Sequence, residues 1–308
     1  PKRIFGTSKN LLEKYGHKRV FDFPTSENAM TGFGIGLALE GFKVVMVHQR
    51  LDFFIYAMDQ LVNSAAKWHY MFDGKNSINI TIRLIIGKGW GQGPTHSQNL
   101  QSWFAHIPGI KVTMPVTPHD AKGLLLAAVE DNGPVLSFEH RWLHGIKGGV
   151  PEGRYEVPLG SANVVREGRD VTLVATSYMV LESMRAAQLL ERNGVSVEII
   201  DLRTIKPLDT RLILSSLEKT GRLVVADTGW EFAGVSAEIL ALVASQAFDD
   251  LVAAPRRLAL PDVPTPASPT LIRGYYPRAI DIANQIISLL GCDKIKTFFD
   301  SERTDFQK

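Results

Sequence analysis

Two side chains stand out for the chemistry they could do. Glu27 opens a helical pattern after Pro24-Thr25-Ser26. A carboxylate in a first helical turn is favoured by the macrodipole, by roughly 0.3–1 kcal/mol. It can equally serve as an acid, a base or a partner for a protonated nitrogen. His96, in Thr95-His96-Ser97-Gln98, is the residue type that carries protons near neutral pH, although many histidines only fill space or hydrogen-bond. Between the two lies the stretch Gly87–Gly93 (GKGWGQG). Its glycine N–H groups suit an anion cradle, and the same composition suits a mobile surface loop.

Other chemistries find no support. Gly32, Gly34 and Gly36 suggest a dinucleotide fingerprint, but the third required position is Leu39. These glycines fall inside a helical pattern, where each costs about 1 kcal/mol relative to alanine. They therefore imply close backbone packing, against a neighbouring element or a ligand. There is no phosphate-binding Walker sequence and no Gly-x-Ser-x-Gly elbow. The 8 histidines and single cysteine show no zinc-ligand spacing.

The elements that must position Glu27 and His96 alternate between strand and helix. Strands are expected over Arg19–Phe23, Phe42–His48, Asn79–Ile86, Ile110–Val116 and Pro134–Phe138. Helices are expected over Glu27–Leu39, capped by Ser26 and closed by Gly41, over Phe54–Met71, and over Pro118–Asp131. Leu143–Gly160 loses periodicity, is rich in Gly and Pro, and reads as a linker. Alternation then resumes with strands at Val171–Ala175, Val195–Ile200, Arg222–Ala226 and Arg256–Ala259. The helices between and after them run over Val180–Asn193, Asp209–Lys219, Ser236–Phe248 and the segment Pro277–Leu290. The pattern predicts an α/β protein of two three-layer domains with mainly parallel sheets. The domains are expected at 1–150 and 151–292, followed by a charged tail, 293–308, read as a docking extension or a frayed end.

Bulk composition fits this. The 308 residues are 45% hydrophobic and 21% charged, enough for two cores. A net charge of +2 gives no electrostatic case for nucleic acid or an anionic membrane. No apolar run is long enough for a membrane span. Cys292 stands alone, so no intrachain disulfide can form, in keeping with a reducing compartment. The chain opens Pro1-Lys2-Arg3-Ile4 without Met or a signal-peptide stretch, so residue 1 need not be the natural start.

An ordered series of short motifs goes further. It comprises Gly6-Thr7-Ser8-Lys9-Asn10-Leu11, Lys18-Arg19-Val20-Phe21-Asp22, Pro24-x-Ser26-Glu27, Asp52-Phe53, Asp59-Gln60 and Ala65-Ala66-Lys67. It continues through His96-Ser97-Gln98, Pro108-Gly109-x-Lys111-Val112, Asp120-Ala121-Lys122-Gly123-Leu124, Asp201-Leu202-Arg203, Pro207-Leu208-Asp209 and Lys219-Thr220-Gly221-Arg222. Over roughly residues 5 to 290 the chain resembles the β subunit of the thiamine-diphosphate-dependent first component of 2-oxo-acid dehydrogenases. That family joins a transketolase-like pyrimidine-binding domain to a transketolase C-terminal-like domain.

The resemblance implies roles at the matching positions. Glu27 would contact a ring nitrogen of the aminopyrimidine, where a carboxylate stabilises the protonated ring and its imino tautomer. Phe53 would pack against the pyrimidine face, with core packing as its plainer role. Gln49 would line the same pocket, and His96 would face the reactive carbon. Backbone carbonyls at Ile80, Ala128, Val129, Asp131 and Gly133 match positions that hold a monovalent cation, K⁺. The family's acidic, glycine-containing motif for Mg²⁺ and diphosphate is missing from this chain. The resemblance therefore implies an α subunit that supplies it, active sites at α/β interfaces, an α2β2 heterotetramer and a lipoyl acyltransferase partner. It also implies a helix and strand ahead of Pro1. A cytoplasmic protein is expected, or one of the mitochondrial matrix in a eukaryote.

The expected reaction is oxidative decarboxylation of a 2-oxo acid with acyl transfer to lipoamide. A split transketolase-like or carboligating enzyme could use the same half-site, and a non-catalytic assembly subunit is the alternative of another class. A carboxylate facing an apolar pocket argues against the last, because burying it is costly. His48-Gln49-Arg50-Leu51, Trp68-His69-Tyr70, Gly89–Gly93 and His140–His144 depart from the family's usual sequence.

Overall fold

The computed structural model describes residues 8–89 and 91–291. Gly6, Thr7, Trp90, Cys292 and the tail 293–308 lie outside the described residues. The first half forms α1 (Leu11–Tyr15), α2 (Glu27–Leu39), β1 (Val44–His48), α3 (Leu51–Phe54), α4 (Ala66–Met71) and β2 (Ile80–Ile86). It continues with α5 (Gln101–His106), β3 (Lys111–Thr113), α6 (Pro118–Glu130) and β4 (Val135–His140). The second half begins with β5 (Asn163–Arg166), β6 (Val171–Ala175), α7 (Tyr178–Glu191), β7 (Val197–Asp201) and β8 (Thr204–Lys206). It ends with α8 (Thr210–Thr220), β9 (Leu223–Trp230), α9 (Val235–Gln246), β10 (Arg256–Leu260), α10 (Pro269–Ile272) and α11 (Ala279–Leu290).

Two five-stranded sheets result, ordered β1-β2-β4-β3-β8 and β10-β9-β6-β7-β5. All pairs are parallel except β3/β8 and β5/β7. Strands β6 and β7 are buried along their whole length, as strands covered on both faces must be. Their side chains divide by alternation. Leu173, Ala175, Val197, Ile199 and Val224 pack with residues of α7 and α11. Val174, Ile200 and Val225 join a second cluster with Ile213 and Leu217 of α8 and Ile239 of α9. That is the three-layer arrangement, and the second cluster continues into the core of the first sheet through Leu136 and Phe138.

Local chemistry sets the helix ends. The Thr117 side chain accepts from the Asp120 backbone N–H at 3.0 Å, ahead of Pro118 at the first helical position. Asp209 does the same for α8, accepting from Leu212 at 3.1 Å, and Gly221 closes that helix at φ +66°. In α2 the glycines serve packing. A Cβ on Gly34 would lie 3.0 Å from the Met46 sulfur and 3.2 Å from Ile80 Cδ1, and one on Gly32 would lie 3.2 Å from Gln60 Oε1.

Three expectations are corrected. Arg19–Phe23 forms no strand; instead the Phe21 and Phe23 rings pack on Phe33 of α2, at 6.3 and 5.3 Å. Ring-on-ring contact, not a ladder, holds this segment. The single helix expected from Phe54 begins at Leu51 and changes pitch, with a 3₁₀ turn at Ile55–Ala57 and a π turn at Gln60–Ala65. A period of about 3.6 cannot register such local shifts. Strands β5 and β8 were not anticipated; both are antiparallel edge strands, and β8 is contributed to the first sheet by the second half of the chain.

Candidate active site

Gly34 of α2 packs on Val44 and Met46 of β1 and on Ile80 at the start of β2, so α2 descends toward the amino edge and its first residue, about two turns earlier, lies toward the carboxyl edge of the first sheet. Glu27 is that residue. At the same edge β1 ends at His48 and leads through Gln49 and Arg50 into α3, β2 ends at Ile86 before the glycine-rich loop, and β4 ends at His140. The carboxyl edge of an open parallel sheet is where such folds bind ligands.

Glu27 is half-buried and makes no hydrogen bond or ion pair among the described residues. Ser26 takes the extended N-cap conformation, but its side chain makes no capping bond, so the helix terminus stays open beside the Glu27 carboxylate. Phe53, on α3, is 37% exposed. His96 ends a 3₁₀ turn, Pro94–His96. The Phe53 and His96 rings meet edge to face, with centroids 5.2 Å apart and planes at 84°. Thr95 Oγ1 lies 3.0 Å from His96 Nδ1, which leaves Nε2 as the ring nitrogen open to other partners. Gln49 is exposed at the start of the same connection, and among the described residues no hydrogen bond joins it to Phe53 or His96. The structure therefore brings Phe53 and His96 together, with Glu27 and Gln49 at the same edge.

The loop between β2 and His96 is tied down rather than free. Arg50 is buried, and its Nη1 donates to the Gly87 carbonyl at 2.7 Å, while Nη2 donates to Gln92 Oε1. Lys88, also buried, donates to the carbonyls of Pro266 and Ala267, both at 3.3 Å. Gly87 has φ +79°, and a Cβ there would stand 2.4 Å from His140 Nε2. On the far side of His96, Ser97 Oγ donates to the Gln92 carbonyl at 3.3 Å. Gln98 Nε2 donates to Asp52 Oδ1 at 2.8 Å. Arg50, Lys88, Asp52 and Gln98 are the residues that reading the sequence missed as parts of the site; Asp52 and Gln98 were visible only as neighbours of Phe53 and His96 in the motifs.

Two histidines of this edge are held neutral. Burial lowers His48 from 6.5 to about 4, with its ring 4.8 Å from that of Phe54. Burial, aided by the charges of His144, Arg50 and Arg278, lowers His140 to about 3. His140 stacks on Tyr178 at 5.3 Å. Desolvation also raises the Asp52 carboxyl, opposed by its bonds from Gln98 and by Arg50.

The five positions matched to a monovalent cation gather at the opposite, amino edge of the sheet. Ile80 starts β2, Ala128 and Val129 lie in the last turn of α6, and Asp131 and Gly133 lead into β4. Thr81 pairs with Val135, which sets Ile80 beside this connection. Asp131 Oδ1 accepts from Gly133 N at 2.8 Å, and Lys111 Nζ binds Oδ2. A cavity of about 460 Å³ opens here, lined in part by Gly109, Lys111 and the 130–134 segment. Among the described residues no three His, Cys, Asp or Glu side chains converge as a metal cage. None of the described helices is long and apolar enough to cross a membrane.

The donor set at the carboxyl edge suits the aminopyrimidine half of thiamine diphosphate: a carboxylate for a ring nitrogen, an aromatic face and an imidazole. Comparison with known proteins agrees. The family described as Transketolase, pyrimidine binding domain, matches residues 4–145, and Transketolase, C-terminal domain, matches residues 160–282. The chain is 44% identical over 280 residues to acetoin:2,6-dichlorophenolindophenol oxidoreductase subunit beta of Cupriavidus necator, covering 91% of this chain and 82% of that one. The same subunit of Bacillus subtilis is 41% identical over 288 residues, covering 94% and 84%. Pyruvate dehydrogenase E1 component subunit beta of Rickettsia felis is 39% identical over 282 residues, covering 92% and 86%. In structure, a split gene transketolase described as an inactive beta4 tetramer superimposes with a TM-score of 0.74 at 22% identity, over 93% of this chain and 88% of that one, and so shares the fold. With both domain families in order and such identity over nine-tenths of its length, the chain belongs to the family of β subunits of the thiamine-diphosphate-dependent first component of 2-oxo-acid dehydrogenases.

Proposed function

We propose that this chain is the pyrimidine-binding half of a two-subunit enzyme that oxidatively decarboxylates a 2-oxo acid and passes the acyl group to lipoamide. The observation that carries the reading is the edge-to-face pair of Phe53 and His96 at the sheet's carboxyl edge, where Glu27 also stands. When bound, thiamine diphosphate supplies the carbanion-stabilising chemistry. The chain's own residues orient and tune. Glu27 holds a proton at a pyrimidine nitrogen. Phe53 offers its partly exposed ring as an apolar platform and keeps water from that face. His96, with Nδ1 against Thr95, presents Nε2 to the reacting substrate and moves or holds a proton there. Gln49 borders the pocket from the end of β1.

An α subunit supplies the Mg²⁺ and diphosphate ligands, and two of each subunit close into an α2β2 assembly. K⁺ binds the carbonyls of Ile80, Ala128, Val129, Asp131 and Gly133. The assembly is cytoplasmic, or of the matrix in a mitochondrion, and works with a lipoyl acyltransferase. A second reading, in which the substrate is an acyloin, is favoured by the two acetoin oxidoreductase subunits at 44% and 41% identity.

Calorimetry with thiamine diphosphate and Mg²⁺ tests the shared site, on this chain alone and mixed with its α subunit. Binding in the mixture only is expected, and Glu27→Gln in that mixture should lower turnover by at least about 100-fold. Tight binding by the chain alone would overturn the shared site. Binding in neither sample would favour an assembly subunit. A turnover screen of pyruvate, branched 2-oxo acids and acetoin separates the two substrates.

A further inference from the structure

The N-cap and first turn of α3 grip the His96 loop at three positions. Arg50, its N-cap residue, holds Gly87 and Gln92; Phe53 meets the His96 ring; and Asp52 lies between these two grips. Asp52 is 8% exposed. Its Oδ1 accepts from Gln98 twice, from Nε2 at 2.8 Å and from the backbone N at 3.4 Å. Oδ2 is buried with no partner among the described residues. A buried carboxylate left half-satisfied is costly, and burial has raised its pKa. An amide of the same shape would accept the same two bonds through its oxygen, with its NH₂ at the unpartnered position, so what the site needs from Asp52 is an acceptor at one point in space. Gln98 is two residues beyond His96, and Ser97 between them is bonded to Gln92. The loop carrying His96 is thus fixed on both sides, and the Asp52–Gln98 pair is the fixed point on the far side.

We propose that Asp52 is a positioning residue that acts through Gln98 to set the His96 imidazole against Phe53. It rests on the thiamine-diphosphate reading for its effect on turnover, but not for its effect on the ring pair. The two are therefore measured separately.

The first measurement needs no cofactor. In the chain with ¹³C-labelled histidine, the His96 Cε1–H resonance, assigned by His96→Gln, carries the ring-current shift of Phe53. Asp52→Ala should move it most of the way to its position in Phe53→Leu, and Asp52→Asn should leave it near wild type. The second uses the complex with the α subunit. Asp52→Ala and Gln98→Glu should each lower kcat by about 10- to 100-fold, the scale of a small misplacement of a reacting group. The affinity for thiamine diphosphate should stay within about threefold. Gln98→Glu places two carboxylates together, and adding Asp52→Asn restores a donor–acceptor pair, so the double variant should regain most of the lost kcat. If Asp52→Ala does not assemble, the Gln98 variants carry the test. An unmoved His96 resonance, or a double variant no better than Gln98→Glu, overturns the inference. A resonance that moves in Asp52→Ala, together with a wild-type complex that shows no thiamine-diphosphate-dependent turnover, leaves the positioning intact and overturns the functional reading instead.

Discussion

Gln101 Nε2 donates to Asp227 Oδ1 at 3.1 Å, and both residues are fully buried. Gln101 begins α5, just beyond the His96 loop, whereas Asp227 lies in β9 of the second sheet. The same carboxylate accepts from Thr176 Oγ1 at 3.2 Å, from Gly229 N at 3.0 Å and from Ser236 N at 3.4 Å. One buried charge thereby joins the chain downstream of His96 to three segments of the second half. Lys88, bonded to the Pro266 and Ala267 carbonyls, ties the loop upstream of His96 to that half as well.

Removing the Gln101 amide should therefore loosen both halves together. A hydrogen bond to a buried charged group contributes about 1.5–3 kcal/mol. Gln101→Ala is expected to lower unfolding free energy by that amount in urea titrations. Gln101→Glu, which sets a second carboxylate on Asp227, should be worse. A loss below about 0.5 kcal/mol in Gln101→Ala would show that the other bonds to Asp227 suffice.

The pH dependence of folding has a definite sign at His48. Its folded value of about 4 lies below the ordinary 6.5, because burial disfavours the charged ring. Between those values the unfolded chain binds the proton and the folded chain does not. Stability from this group is present above pH 6.5 and is lost as pH falls toward 4, by up to about 1.4 kcal/mol per pH unit. His48→Phe keeps a ring against Phe54 and removes the titration. Its stability should fall less steeply with acid over that window, by up to that slope, in guanidinium titrations at several pH values. Asp201 works in the opposite sense. Burial raises it to about 7, so its contribution is present below its ordinary carboxyl range and lost as pH rises through 7. Unchanged slopes in His48→Phe would mean that His48 already titrates normally.

The glycines separate what the sequence could reveal from what it could not. Within α2, spacing alone flagged Gly32, Gly34 and Gly36 as packing positions, and two of the three do meet neighbours. Nothing lies within 4 Å of a Cβ on Gly36. Gly36→Ala is therefore expected to stabilise by about 0.5–1 kcal/mol through helix propensity. Gly109 is the reverse: φ is +88° and a Cβ would stand 1.9 Å from the Ala66 carbonyl oxygen. Backbone cannot swing aside, so Gly109→Ala should cost at least about 3 kcal/mol. Thermal melts of the two variants should move in opposite directions, and a shared direction would refute the packing argument.

Much of the fold was legible for a physical reason. The β6 range Val171–Ala175 and the α2 range Glu27–Leu39 match the pattern of the sequence, because a strand buried on both faces is a near-continuous apolar run and a helix announces its ends. What failed depended on partners distant in sequence. Arg19–Phe23 has strand composition but packs its rings on Phe33 instead. Strands β5 and β8 are short edge strands whose pairing depends on β7 and β3. The same limit holds at the site. Residue types and resemblance point to Glu27, Phe53 and His96 as candidates, whereas the grips of Arg50, Asp52 and Lys88 exist only where chain segments meet.

The proposed K⁺ site makes the most discriminating prediction, because it distinguishes a backbone ligand from a side-chain ligand. Helix α6 ends at Glu130, and its last carbonyls carry the negative end of the helix dipole. The Asp131 carboxylate is already engaged by Lys111 and by Gly133 N, which makes the carbonyl the freer cation ligand at Asp131. At a K⁺ concentration about 100 times its dissociation constant, binding should add about 2.7 kcal/mol to folded-state stability. The Tm of the chain with its α subunit should therefore be higher in K⁺ than in tetramethylammonium at the same ionic strength. Asp131→Asn should lower the Tm in both salts yet keep the difference between them, since the backbone ligand survives. Equal Tm values for the wild type in the two salts would remove the cation site, and loss of the difference in Asp131→Asn would make the carboxylate, not the carbonyl, the ligand.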